Sequence, residues 1–89
     1  MNRLVFYRRR IGLTQSRVSH LLGHPDVSML SRYENDISVP PLPAAFALEV
    51  ILRVPVAFLF PGLYDEIRAR IRSKEEQLAA LDRSRATEH

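Results

Sequence analysis

The chain has 89 residues, 46% of them hydrophobic, and no cysteine. That length supports one core and is short for two, and without cysteine there is neither a disulfide framework nor a thiolate metal site, so a reducing, cytoplasmic setting is expected. The net charge of +3 is unevenly placed: residues 1–24 carry Arg3, Arg8, Arg9, Arg10 and Arg17 with no acid, residues 25–64 set Arg32 and Arg53 against four acids, and the rest balances six of each sign. A positive front suits a polyanion such as DNA, or an anionic membrane surface.

In chain order, residues 2–10 place Leu4, Val5 and Tyr7 against arginines, the pattern of a short amphipathic helix that Gly12 stops. The same stretch, MNRLVFYRRRIG, lacks the order and length of a secretory signal. Thr14 is a good N-cap for a second helix over 15–22, with Val18, Leu21 and Leu22 on one face and Gly23 as its stop. His24 and Pro25 form a turn, and Asp26 is expected to cap a third helix in which Leu30 and Tyr33 turn inward. Asn35 and Asp36 tolerate the left-handed conformation that closes such a helix.

Pro40, Pro41 and Pro43 give a rigid entry to a fourth helix running through Phe46, Leu48 and Leu52. Pro55 starts a short fifth helix with Phe58, Leu59 and Phe60, and Pro61-Gly62 is expected to end the compact region. The segment LPAAFALEVILRVPVAFLF reads as core, because Glu49, Arg53 and its prolines interrupt it too often for a membrane span. From Asp65 onward the chain is rich in charge and in helix formers. Ile67, Ile71, Leu78 and Leu81 sit at heptad spacing, and Lys74 interrupts the seam.

Two short helices around a glycine turn, with a third behind an N-cap, outline a helix-turn-helix. The strings Leu13-Thr14-Gln15, Leu22-Gly23 and Ser31-Arg32-Tyr33-Glu34, with the later prolines and apolar helices in order, resemble the lambda-repressor-like, or Cro-type, helix-turn-helix family over residues 2 to about 63. The resemblance implies an all-α, five-helix DNA-binding domain over 1–63 that presents its third helix to the major groove. It also implies sequence-dependent transcriptional control. A charged helical extension over 64–89 follows.

On that basis Gln15, in the first turn of the second helix, is expected to hold a DNA phosphate with the backbone N–H groups, with Arg17 beside it. Val27, Ser28, Met29, Ser31 and Arg32 are candidates for the outward face of the third helix. Arg32 suits a guanine or a phosphate, Ser28 a base edge or phosphate, and Val27 or Met29 a thymine methyl. Met29 is equally suited to filling the core. Arg8, Arg9 and Arg10 either cap the first helix electrostatically or touch flanking phosphates, and Arg8 is the one carried as a DNA contact. The chain departs from the family pattern in having Val27 and Met29 where basic residues are common. It also has Asp36 after the third helix, where a carboxylate would be repelled by DNA, and one extra residue between Gly23 and Ser31.

His20, His24 and His89 form no ligand spacing, no glycine-rich phosphate loop is present, and no strained nucleophile turn occurs, so neither a metal, a cofactor nor catalysis is expected. The extension reads either as a solvated helix or as a dimerisation helix. The expected function is a DNA-binding regulator acting as a homodimer on an operator. The alternative is a helix-turn-helix module retained for protein binding through its apolar fourth and fifth helices.

Overall fold

The computed structural model describes residues 1–87, which form the helices α1 (Leu4–Arg10), α2 (Gln15–Leu21), α3 (Ser28–Glu34), α4 (Leu42–Leu52), α5 (Val56–Leu59) and α6 (Pro61–Thr87), with no strand among the described residues. The fold is all-α, as the helical periodicities and the family resemblance imply.

The first three helices end alike. Gly12 N–H donates to Arg9 O at 3.0 Å and Leu13 N–H to Arg8 O at 3.0 Å; Gly23 and His24 repeat this on His20 O and Ser19 O, and Asp36 and Ile37 on Tyr33 O and Arg32 O. These are paired terminal bonds around a left-handed residue, with φ of +74° at Gly12, +79° at Gly23 and +58° at Asp36. The motif turns the chain sharply without leaving the last carbonyls unpaired, so three helices of seven residues each fit around one core.

That core is built from Leu4, Val18, Leu30, Tyr33, Leu48, Leu52, Leu59 and Phe60. Leu4, Leu30, Leu48 and Leu59 are fully buried, and each such side chain contributes roughly 1.5–3 kcal/mol of hydrophobic stabilisation. The expected inward pair on the third helix, Leu30 and Tyr33, lies there.

α4 has Pro43 in its first turn and ends on Arg53, which is held left-handed at φ +61°. Its Glu49 carboxylate accepts the Val56 N–H at 2.9 Å and so caps the start of α5. Only one side of α4 is buried, through Ala45, Leu48 and Leu52; Leu42, Phe46 and Val50 are exposed along the other.

Two expectations are refined. Pro61-Gly62 does end the compact region, since Gly62 to Arg85 are all exposed, but as the start of a helix and not as a turn: Pro61 sits in the first turn of α6, where its missing N–H would be unpaired in any case. Residue 63, where the domain division was expected, lies within that helix. The third helix starts one residue later than an N-cap at Asp26 implies: Val27 is the cap residue, and the Asp26 carboxylate reaches past it to the Ser28 N–H at 2.9 Å.

α6 stands apart. Every residue from Gly62 to Arg85 is exposed, and the helix draws the molecule out to 64 × 23 × 20 Å.

Candidate nucleic-acid interface

α2 and α3 share the buried Val18, Leu30 and Tyr33, and a polar cluster adds to this at the start of α2 and the end of α3. Glu34, at the end of α3, is nearly buried, with 4% of its side chain exposed, and Arg8 of α1 packs against it with 11% exposed. Arg8 Nε donates to Glu34 Oε2 at 2.7 Å and Arg8 Nη2 to Oε1 at 3.4 Å, while Nη1 donates to Leu13 O at 3.1 Å. Gln15 Nε2 also donates to Glu34 Oε1, at 2.7 Å. One carboxylate thus ties α1, the start of α2 and the end of α3 together through charge-assisted bonds. The cluster borders an open cleft of about 750 Å³ reached by Gly12, Thr14, Gln15, Ser16, Val27 and Asn35.

Thr14 caps α2 as expected, its Oγ1 accepting the Arg17 N–H at 3.2 Å. Arg17 is exposed at the first turn. Gln15 is half-buried, with one of its two amide hydrogens committed to Glu34.

On α3, Ser28, Met29 and Arg32 are exposed, while Val27, just before it, and Ser31 are half-buried. Met29, for which core and surface were equal alternatives, is 41% exposed and so presents its thioether to solvent. The Ser31 hydroxyl and carbonyl both accept from Asn35 Nδ2, at 3.3 and 2.8 Å. Arg32 Nε donates to Ser38 Oγ at 3.2 Å, which steers the guanidinium along the outside of the helix. Asp26 has its carboxyl pKa lowered from 3.8, first by the backbone bond from Ser28 and then by the Ser28 hydroxyl, each favouring the charged form.

Asp36 is the acid that seemed ill placed. Its Oδ1 accepts from Asn2 Nδ2 at 2.7 Å, and the Met1 amine lies 3.5 Å from Oδ2. Asn2 Nδ2 also donates to Tyr33 O at 2.7 Å, so this side chain satisfies the end of α3 while neutralising part of the field of Asp36.

Of the expected contacts, Arg17, Ser28, Met29 and Arg32 are exposed and Gln15, Val27 and Ser31 are half-buried, and the cleft brings Gln15 and Val27 together. Arg8 is turned inward, leaving Arg9 and Arg10 as the exposed members of the arginine triplet. The organising role of Glu34 was not read from the sequence. Its partners lie 26 and 19 residues away, and local spacing carries no sign of such pairs. Asn35 and Ser16 were likewise missed as cleft-lining residues. His89 and the last residue before it, at the end of the expected extension, lie outside the described residues.

A capped short helix, a tight turn and a second helix with a buried seam and an exposed polar edge define a helix-turn-helix protein. The chain belongs to the lambda-repressor/Cro-like helix-turn-helix family: the family model, described as "Helix-turn-helix", matches residues 6–59. This is a family of DNA-binding transcription regulators and is not typically enzymatic. No curated protein and no solved structure matches the chain. Among the described residues no helix is long and apolar enough to cross a membrane.

Proposed function

We propose that the protein is a sequence-specific, operator-binding transcriptional regulator of the cytoplasm that lays α3 into the major groove and works as a homodimer. The observation that supports this reading is the division of α3: Leu30 and Tyr33 are buried, while Ser28, Met29 and Arg32 are exposed. Arg32 is the principal reader, through a bidentate contact to guanine or a clamp on phosphate, and Ser28 meets a base edge. Met29 and Val27 supply apolar contacts to thymine methyls, and Ser31, held by Asn35, lines the same edge. Gln15 and Arg17 position the protein on the backbone. Arg8, first expected as a direct contact, acts in this proposal by fixing Gln15 and α3 through Glu34.

Selection of bound sequences from random duplexes, followed by binding of two variants, tests this. Arg32→Ala is expected to lose discrimination between selected and random DNA, by roughly 1–3 kcal/mol at the base it reads, whereas Gln15→Ala weakens both alike. Equal loss in the Arg32 variant would reduce that residue to backbone positioning. No enrichment of any sequence would remove the specific reading.

One observation favours a second reading, a module kept for protein binding: the exposed apolar edge of α4, Leu42, Phe46 and Val50. Chains that ignore duplex DNA at low salt but retain the fold would support it.

A further inference from the structure

α6 carries an apolar line that the other described residues leave exposed. Tyr64, Ile67, Ile71, Leu78 and Leu81 are all exposed and follow one another at heptad spacing, with Lys74 in the middle position. At its base the line runs into an apolar groove of about 430 Å³ between α6 and the domain, where Tyr64 and Ile67 meet Val39, Leu42, Val56 and Phe60. An exposed helix of 27 residues with such a face has no intramolecular reason to carry it.

We infer that the occupant of this line and groove is α6 of a second copy, packed antiparallel. This deepens the homodimer part of the proposed function and rests on it; it does not depend on DNA binding.

Three features choose this arrangement. In the antiparallel register that matches apolar layers, Tyr64 faces the partner's Leu81 and Ile67 faces the partner's Leu78. Lys74 falls against the partner's Ile71, so its stem packs while its ammonium reaches the rim. A parallel pair would instead stack Lys74 on its own copy, with like charges in one layer. The same antiparallel register brings Arg68 near the partner's Glu75, and by symmetry Glu75 near the partner's Arg68, giving two pairs of opposite charge on one flank of the seam. Finally, the groove walls rise on the side of the helix that carries the seam. A parallel partner would bring its own domain to that place, whereas the tip of an antiparallel helix is narrow enough to enter.

The length fits as well. The seam from Tyr64 to Leu81 runs about 26 Å at 1.5 Å per residue, and the groove widens it at the base. With the partner's Pro61 opposite residue 84, the two α6 starts lie about 35 Å apart at 1.5 Å per residue. That is on the order of one DNA turn, the spacing of paired half-sites.

The chain has no native cysteine, so the test is direct. Full-length Ile67→Cys and Leu78→Cys chains, alone and mixed, are bridged with a short bismaleimide in DNA-free solution, with Ala69→Cys on the opposite face as control. The mixture is expected to cross-link more than about tenfold above control through the raised effective concentration, while neither chain does so alone. Linkage of Ile67→Cys to itself would mean a parallel pair and would overturn the arrangement. Control-level linkage throughout would overturn the dimer. In sedimentation, Arg68→Glu is expected to weaken association about two- to fivefold per pair, with Glu75→Arg restoring it. A lack of restoration would remove the register. Because no DNA is present, a failure here leaves the DNA-binding reading intact, and a failure to bind DNA leaves this one intact.

Discussion

Asp36 occupies the position that Gly12 and Gly23 hold at the ends of the two preceding helices, and it does so with a side chain. A left-handed backbone disfavours most residues with a Cβ, but Asp and Asn adopt it more readily because their short polar groups bond locally. Here Asn2 supplies the bond, at 2.7 Å. Asp36→Ala should therefore destabilise the protein by about 1 kcal/mol, and Asp36→Asn by much less, as read by chemical denaturation. Glu34 is the more consequential residue. Replacing it with Ala leaves the Arg8 guanidinium nearly buried without its carboxylate, and a loss of about 3 kcal/mol is expected by the same measurement, because the remaining charge is uncompensated. A change below 0.5 kcal/mol, the range of ordinary surface substitutions, would show that water replaces Glu34 freely. Of these two acids, the left-handed tendency of Asp36 was legible in the sequence. The partners of both were not, because an ion pair spanning 26 residues exists only once three helices have folded.

At the scale of elements, starts and stops were largely readable, because glycine, proline and Thr14 act locally. What failed was local competition. Asp26 was expected to be the cap residue; Val27 holds that place, and the Asp26 carboxylate still accepts the Ser28 N–H by reaching over it. Its pKa is lowered, so its contribution to the start of α3 is whole above the ordinary value of 3.8 and disappears as pH falls through the lower folded value. A carboxyl titration by NMR should place the Asp26 midpoint below 3.8; a midpoint at or above it would mean that the bond to Ser28 is not held in solution. Arg53 ends α4 at φ +61°, where a glycine relieves the Cβ clash. Arg53→Gly should raise stability by up to about 1 kcal/mol in thermal unfolding, and a lowered midpoint would show that the left-handed backbone is not strained there. The start of α6 at Pro61 was misread for a related reason: Pro-Gly commonly marks a turn, but the same proline is well suited to a first helical turn when good helix formers follow.

At the scale of the molecule, exposed arginines stand on α1, α2 and α3, and the apolar edge of α4 meets the seam of α6 at the groove lined by Leu42, Tyr64 and Ile67. Of the positive front seen in the composition, Arg3, Arg9, Arg10 and Arg17 remain exposed while Arg8 is drawn inward by Glu34, and Arg32 adds an exposed charge from α3. DNA binding by this front predicts a particular dependence on salt. The measurement is the affinity of the full chain for duplex DNA across a salt titration, with an Arg17→Ala, Arg32→Ala double variant beside it. The expected result is clear binding at low salt, a log–log slope of about −0.9 for each phosphate neutralised, and a shallower slope by about 2 in the variant if both side chains meet phosphate, or about 1 if Arg32 reads a base. No binding of the intact, folded chain at low salt, or a slope identical in the variant, would contradict it.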